Sequence, residues 1–345
     1  MAEGYAKKHS LLFLALLLLF SHSLPLWAQP KEEQRLVMWW NLENLFDTRD
    51  DPSTNDSDFT PSGKLHWTAK KLKLKQMRIA FVISAIEKHP DYRRFPDIVA
   101  VCEVENEAVL KATMAKVPKV HYKTLHHDSP DIRGIDVGLA YNPKTLAPTG
   151  MKTYCVPLEG RPTRDIVVAG FTAGGRPLHL VLNHWPSRAF DTRWTEKKRI
   201  AAATVARAIV DSLLQRNPQA DIILMGDFND EPGDRSLKET LGSSFSREQV
   251  LSEPDTYLYN CWDGHDGEGS YRYRGHWEQI DQMLVSSGML QKSGLRLDSK
   301  PFSCFAISPM FPSNSKYPWR TYEKGKYSGG YSDHLPLLLK VRTSP

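Results

Sequence analysis

Cysteine is scarce: the 345 residues contain four. They form no C-x-x-C pair and no Cys/His cluster, so no local spacing points to a structural zinc. Charge of one sign is also missing. Lys and Arg total 45 against 40 Asp and Glu, a formal balance of +5. That excludes a histone-like or tail-driven polyanion binder. There is no internal repeat, no low-complexity tract and no long Pro/Ser/Gly linker between separate domains. A run of about 20 apolar residues, the length of a membrane span, is absent too. What remains is ordinary globular composition, 41% hydrophobic and 25% charged, in a chain long enough to bury a core.

The longest apolar run is Leu11 to Phe20. Lys7 and Lys8 precede it, and Leu26-Trp27-Ala28 follows with a small residue at a cleavage position. This layout predicts a secretory signal peptide over residues 1–28 and a mature chain of 29–345, secreted or periplasmic. Loss of Glu3, Lys7 and Lys8 takes the balance from +5 to +4. No Cys stands at the cleavage point, so a lipid anchor has no support. An oxidising compartment permits disulfides; Cys261 with Cys304 is the candidate pair, while Cys102, inside an apolar run, reads as a buried thiol.

Short Val/Ile/Leu-rich runs predict buried strands: Leu36–Trp40, Ile98–Cys102, Val137–Tyr141, Ile166–Phe171, Leu178–Leu182, Ile222–Met225, Gln282–Val285 and Leu335–Val341. Helices are predicted over 70–87 and 194–215. On the first, Lys70, Lys71, Lys73 and Lys75 read as a wet face. On the second, Lys197, Lys198, Arg199 and Arg207 do so, with Val205, Ile209 and Leu213 as the apolar stripe. Many strands and few helices suggest an α/β sandwich, two packed sheets with helices outside, in a single domain.

The chemistry-bearing residues follow the strands. Asn41-Leu42-Glu43-Asn44, Glu103-Val104-Glu105-Asn106 and Asn183-His184 each follow a run, as does Gly226-Asp227-Phe228-Asn229. Arg133-Gly134-Ile135-Asp136, Gln279-Ile280-Asp281 and Ser332-Asp333-His334 lead into runs. One Asx at a strand end is usually a turn former. Several acids, amides and His at successive strand ends converge on one rim, where carboxylates repel unless a cation lies between them. Oxygen donors without Cys suit Mg²⁺, Mn²⁺ or Ca²⁺.

With GDFN and SDH in that order, an upstream strand-end Glu and an N-x-H-like His, the chain resembles the endonuclease/exonuclease/phosphatase superfamily. That group includes deoxyribonuclease I, and the likeness runs from Leu36 to about Val341. The resemblance implies a four-layer α/β sandwich with two mostly antiparallel sheets, and a secreted bacterial-type member. It implies a metal site at Asn41, Glu103 and Asp333, with Glu103 the direct carboxylate ligand. Asp227 and Asn229 would orient or deprotonate water and bind phosphate. His334 would bind phosphate or act as base, oriented by Asp281. His184 would contact the scissile phosphate, and sets the chain apart from abasic-site enzymes. Arg133, Asp136, Arg188 and Arg274 are candidate phosphate contacts.

The expected activity is therefore a divalent-metal-dependent phosphoesterase, foremost a nuclease or phosphodiesterase on nucleic acid. Its alternatives are a phosphatase or sphingomyelinase-type enzyme on a small phosphoester or lipid headgroup, and a non-catalytic binding module. Aromatics and Arg from Tyr257 to Trp277 favour nucleic acid through stacking and phosphate contacts. No stable protein partner is implied, and a monomer is expected.

Overall fold

The computed structural model describes residues 33–188, 192–265 and 267–343; the signal-peptide reading falls outside them. A six-stranded sheet runs in the order Leu295–Cys304 (β14), Leu337–Thr343 (β17), Glu33–Leu45 (β1), Ile98–Val104 (β2), Asp136–Tyr141 (β4) and Lys123–His126 (β3). A seven-stranded sheet runs Leu146–Tyr154 (β5), Ile166–Ala173 (β6), Arg176–His184 (β7), Ile222–Asp227 (β8), Asp281–Val285 (β13), Leu258–Asn260 (β10) and Ser243–Ser244 (β9). Most neighbours are antiparallel; β1–β2, β7–β8 and β9–β10 are parallel. Two hairpins stand apart, Tyr271–Tyr273 (β11) with His276–Glu278 (β12), and Tyr322–Glu323 (β15) with Lys326–Tyr327 (β16).

The continuous apolar runs are explained by burial on both faces. On β1, Val37 and Trp39 face the other sheet, where they meet Leu180, Leu182 and Met225. Leu36, Met38 and Trp40 face outward onto helix Ala69–Lys88 (α1) and helix Glu107–Met114 (α2). Helix Thr192–Arg216 (α3) covers the outer face of the second sheet through Ala202, Ala203, Ala206, Ile209, Val210 and Leu214. The order helix, sheet, sheet, helix is the expected four-layer sandwich. Each buried Val, Leu or Ile contributes about 1.5–3 kcal/mol. Among the described residues, no helix is long and apolar enough to cross a membrane.

Three expectations fail. Lys75 is not on a wet face: it is 1% exposed, and its ammonium donates to Tyr331 O at 2.7 Å, Thr321 Oγ1 at 2.6 Å and Glu43 O at 3.3 Å. Arg199 is buried against Asp230, Nε to Oδ1 2.6 Å, and the buried stripe of α3 is turned from Val205 and Leu213 toward the small Ala residues that let helix and sheet approach. Cys261 and Cys304 remain free thiols. Cys261 is packed between the sheets, while the Cys304 thiol lies 3.5 Å from Gly269 O.

Candidate active site

The two parallel pairs, β1–β2 and β7–β8, end on the same rim. Asn41 does not follow β1 but lies within it, because β1 continues to Leu45 through a register irregularity against β2. A second irregularity between Cys102 and Val104 distorts β2 against β4. Glu43, Asn44 and Glu103 take positive φ values of 50°, 59° and 59°, and Asn229 takes 52°. Non-glycine residues adopt this region at a cost and gather where side chains must be re-aimed. Asn44 N donates to Glu103 Oε2 at 3.0 Å, joining the two bulges.

Asp227 ends β8, and its strand partner is Asp281. Both are buried. Asn41 Nδ2 donates to Asp227 Oδ2 at 3.0 Å, and the Asn229 amide donates to Oδ1 at 3.0 Å. Burial first, and the Asp281 charge second, raise the Asp227 carboxyl above its ordinary range; His334, Asn41 and the Asn229 amide oppose this. Asp281 accepts from Trp39 Nε1 at 3.0 Å, Ser270 Oγ at 2.6 Å and His334 Nδ1 at 2.6 Å. Burial alone would lower His334, but Asp281, Asp333 and Asp227 outweigh it and hold the imidazole well above its ordinary value. His334 Nε2 then lies 4.0 Å from Asp227 Oδ2 and 3.9 Å from Asp333 Oδ1. Tyr271 stacks on the ring, centroids 4.6 Å apart.

His184 ends β7. Its Nε2 is 3.8 Å from both Glu103 Oε1 and Asp227 Oδ2. Burial, then the charges of Arg164, Arg133 and His334, hold it well below the ordinary value, so it is neutral. Asn229 donates to Trp185 O at 3.1 Å.

Eight of the sequence candidates thus converge: Asn41, Glu103, His184, Asp227, Asn229, Asp281, Asp333 and His334. The four phosphate candidates behave differently. Arg133, its side chain 47% exposed, leans on Asp131 at 3.4 Å yet acts on His184 through its charge. Asp136 is taken by the backbone and hydroxyl of Ser129, which fold the 129–136 loop. Arg188 is paired with Glu278. Arg274 sits at the turn of the β11–β12 hairpin over the Tyr273 ring, 5.1 Å from its centroid. Among the described residues, no hydrogen bond or ion pair ties Arg188 or Arg274 to the cluster.

Two further side chains take parts the sequence did not assign them: Glu43 had no role within its motif, and the Arg161–Arg164 segment read as a phosphate contact or a solvated surface. Glu43 accepts from Thr321 N at 2.6 Å and lies 3.8 Å from Arg320 Nε; burial and the Asp333 charge raise its carboxyl. The period-two rule does not find it, because the register irregularity from Asn41 to Leu45 and the positive φ of Glu43 break the alternation. Arg164 donates to Asp131 Oδ2 and Trp185 O, both at 2.8 Å; nothing in its local sequence signals that.

The donors suit a hard divalent cation. Glu103 and Asp333 offer carboxylate oxygens and Asn41 an amide oxygen, the hard donors such an ion takes.

The profile of the endonuclease/exonuclease/phosphatase family matches residues 36–343. Truncated TDP2 from Caenorhabditis elegans has a similar structure (TM-score 0.54, 17% identity, 89% of this chain and 97% of that one). An endonuclease/exonuclease/phosphatase family protein from Bacteroides thetaiotaomicron gives 0.55, 14%, 91% and 100%. The human Nocturnin catalytic domain, with a bound sulfate anion, gives 0.53, 16%, 90% and 96%. No curated protein matches the sequence. Carrying that profile over nearly its whole described length, the chain belongs to the endonuclease/exonuclease/phosphatase family. Members are in general phosphoesterase hydrolases and typically use divalent metals.

Proposed function

We propose that the chain is an exported, monomeric, divalent-metal-dependent phosphodiesterase that hydrolyses nucleic-acid phosphodiester bonds. The observation that carries this reading is the line of groups Asp281, His334, Asp227 and His184. It joins a charged imidazole, a raised carboxyl and a neutral imidazole within 4.0 Å steps. In-line attack on a phosphate needs an aligned water, a proton acceptor and donors for the charge that builds on oxygen.

Asp227 is the acceptor. Its raised carboxyl titrates closer to neutrality than an ordinary Asp, which suits a general base. His334 already carries its proton in the resting site, held there by Asp281 and Asp333, so it donates to the phosphate rather than taking the water proton. Neutral His184 and the second hydrogen of the Asn229 side-chain NH₂ add uncharged donors. A divalent cation held by Glu103 with Asp333 and Asn41 would supply charge stabilisation for the phosphoryl oxygens. The sulfate bound by the Nocturnin catalytic domain, a tetrahedral anion in a related fold, is in keeping with phosphate binding.

Nucleic acid is favoured by the β11–β12 hairpin beside His334. Tyr273, 47% exposed, lies parallel to Tyr271, 6.4 Å away and 15° inclined. With Arg274 over the Tyr273 ring, the hairpin brings an aromatic and cationic edge beside His334, the side-chain types that contact bases and phosphates. The test is a substrate panel with Mg²⁺: plasmid DNA, RNA, sphingomyelin, inositol phosphates and an aryl phosphodiester. Nucleic-acid cleavage is expected; turnover of lipid or inositol phosphate alone would overturn the substrate assignment.

A further inference from the structure

Cys102, His184 and Asp227 come from three strands, β2, β7 and β8, so no sequence spacing joins them. One donor atom from each nevertheless lies within 4.8 Å of the other two. All three residues are at most 4% exposed. The His184 ring gives a second, independent sign. Its Nδ1 is buried without a hydrogen-bond partner, while Nε2 faces the carboxylates of Asp227 and Glu103 at 3.8 Å each.

A thiolate, an imidazole and a carboxylate are donors of borderline-soft ions such as Zn²⁺, not of Mg²⁺ or Ca²⁺, which take oxygen. Zn²⁺ binds sulfur at about 2.3 Å and nitrogen or oxygen at about 2.0–2.2 Å. Tetrahedral closure on these atoms requires them to draw together by on the order of 1 Å. Three protein donors leave the fourth position to water.

We propose that Cys102 makes the catalytic rim an inhibitory trap for Zn²⁺-class ions, bound by Cys102 Sγ, one His184 ring nitrogen and the Asp227 carboxylate, with water in the fourth position. Coordination converts the thiol to thiolate and releases its proton to solvent. His184 and Asp227 are then held by the ion and lost to the phosphate. Mg²⁺ makes no use of Cys102, so the same protein is supported by one divalent ion and shut off by another. The inhibition half of this inference rests on the hydrolase reading; the binding half does not.

The experiment uses Co²⁺ as a spectroscopic stand-in for Zn²⁺, in full-length protein whose exposed Cys155 is replaced by Ser. A thiolate-to-Co²⁺ charge-transfer band is expected in the parent and absent from both Cys102→Ser and Cys102→Ala. The variants should keep Mg²⁺-supported hydrolysis within about twofold, while half-inhibition needs about tenfold more Zn²⁺. A band that persists in both variants, or Zn²⁺ inhibition equal to the parent's, would overturn the proposal. If every substrate fails, the Co²⁺ spectrum still decides the binding half, which separates failure of the trap from failure of the hydrolase reading.

Discussion

Asp281→Asn changes one buried atom and removes one charge. The carboxylate accepts three hydrogen bonds: Oδ1 serves Trp39, and Oδ2 serves Ser270 and His334. An amide keeps one oxygen, so at best the Trp39 indole N–H is left facing an NH₂ group. A buried donor without a partner costs about 1–3 kcal/mol. The other contribution is electrostatic. Breaking a buried ion pair costs about 3–5 kcal/mol, an upper limit here because His334 can shed its proton. The expected loss is about 2–5 kcal/mol near pH 6.

The sign with pH follows from His334. Its folded pKa is raised above the unfolded value of about 6.5. The stability it contributes is therefore fully present below about pH 6.5 and is lost as pH climbs toward the folded value. Urea unfolding in EDTA should show the gap between wild type and Asp281→Asn widest near about pH 6 and narrowing as pH rises toward the folded His334 value, above which only the hydrogen-bond cost persists. Turnover should drop by about 10²–10⁴. A gap that stays flat across that range would refute the charged-imidazole assignment.

Lys75→Met leaves Tyr331 O, Thr321 Oγ1 and Glu43 O without their shared donor. A loss of about 1–3 kcal/mol in urea unfolding is expected, with reduced turnover because Tyr331 leads into Asp333; unchanged stability would contradict the buried-ammonium account. Arg199→Ala strands the buried Asp230 carboxylate and should destabilise by about 3–5 kcal/mol, read from the same curves. EDTA should abolish turnover and Mg²⁺ or Mn²⁺ restore it, with a rise in melting temperature on adding metal; a chelated protein at full activity would remove the cation from the account.

The layered fold was legible because its strands are buried on both faces. All eight apolar runs are strands, and both long helices lie where periodicity puts them. The strand-end acids and His were legible as a set because a rim gathers strand ends. Asn41 and Glu103 were misplaced by a residue or two, since a bulge leaves no compositional mark. Lys75 and Arg199 were misread for a different reason. A cation's burial depends on acceptors far along the chain: Lys75 meets a carbonyl 256 positions away. The Cys102, His184 and Asp227 grouping has the same origin. Glu105, pushed up to about 8 by burial against the opposing hydrogen bond from the Asp47 backbone, likewise looks like any surface acid in sequence.

The central claim is that this rim hydrolyses nucleic-acid phosphodiesters through His334. Plasmid DNA cleavage with Mg²⁺, compared between wild type and His334→Ala at matched melting temperature, tests it most directly. Cleavage by the wild type, with a loss of about 10²-fold or more in the variant, is the predicted result. Cleavage by the variant within about twofold of wild type would contradict it.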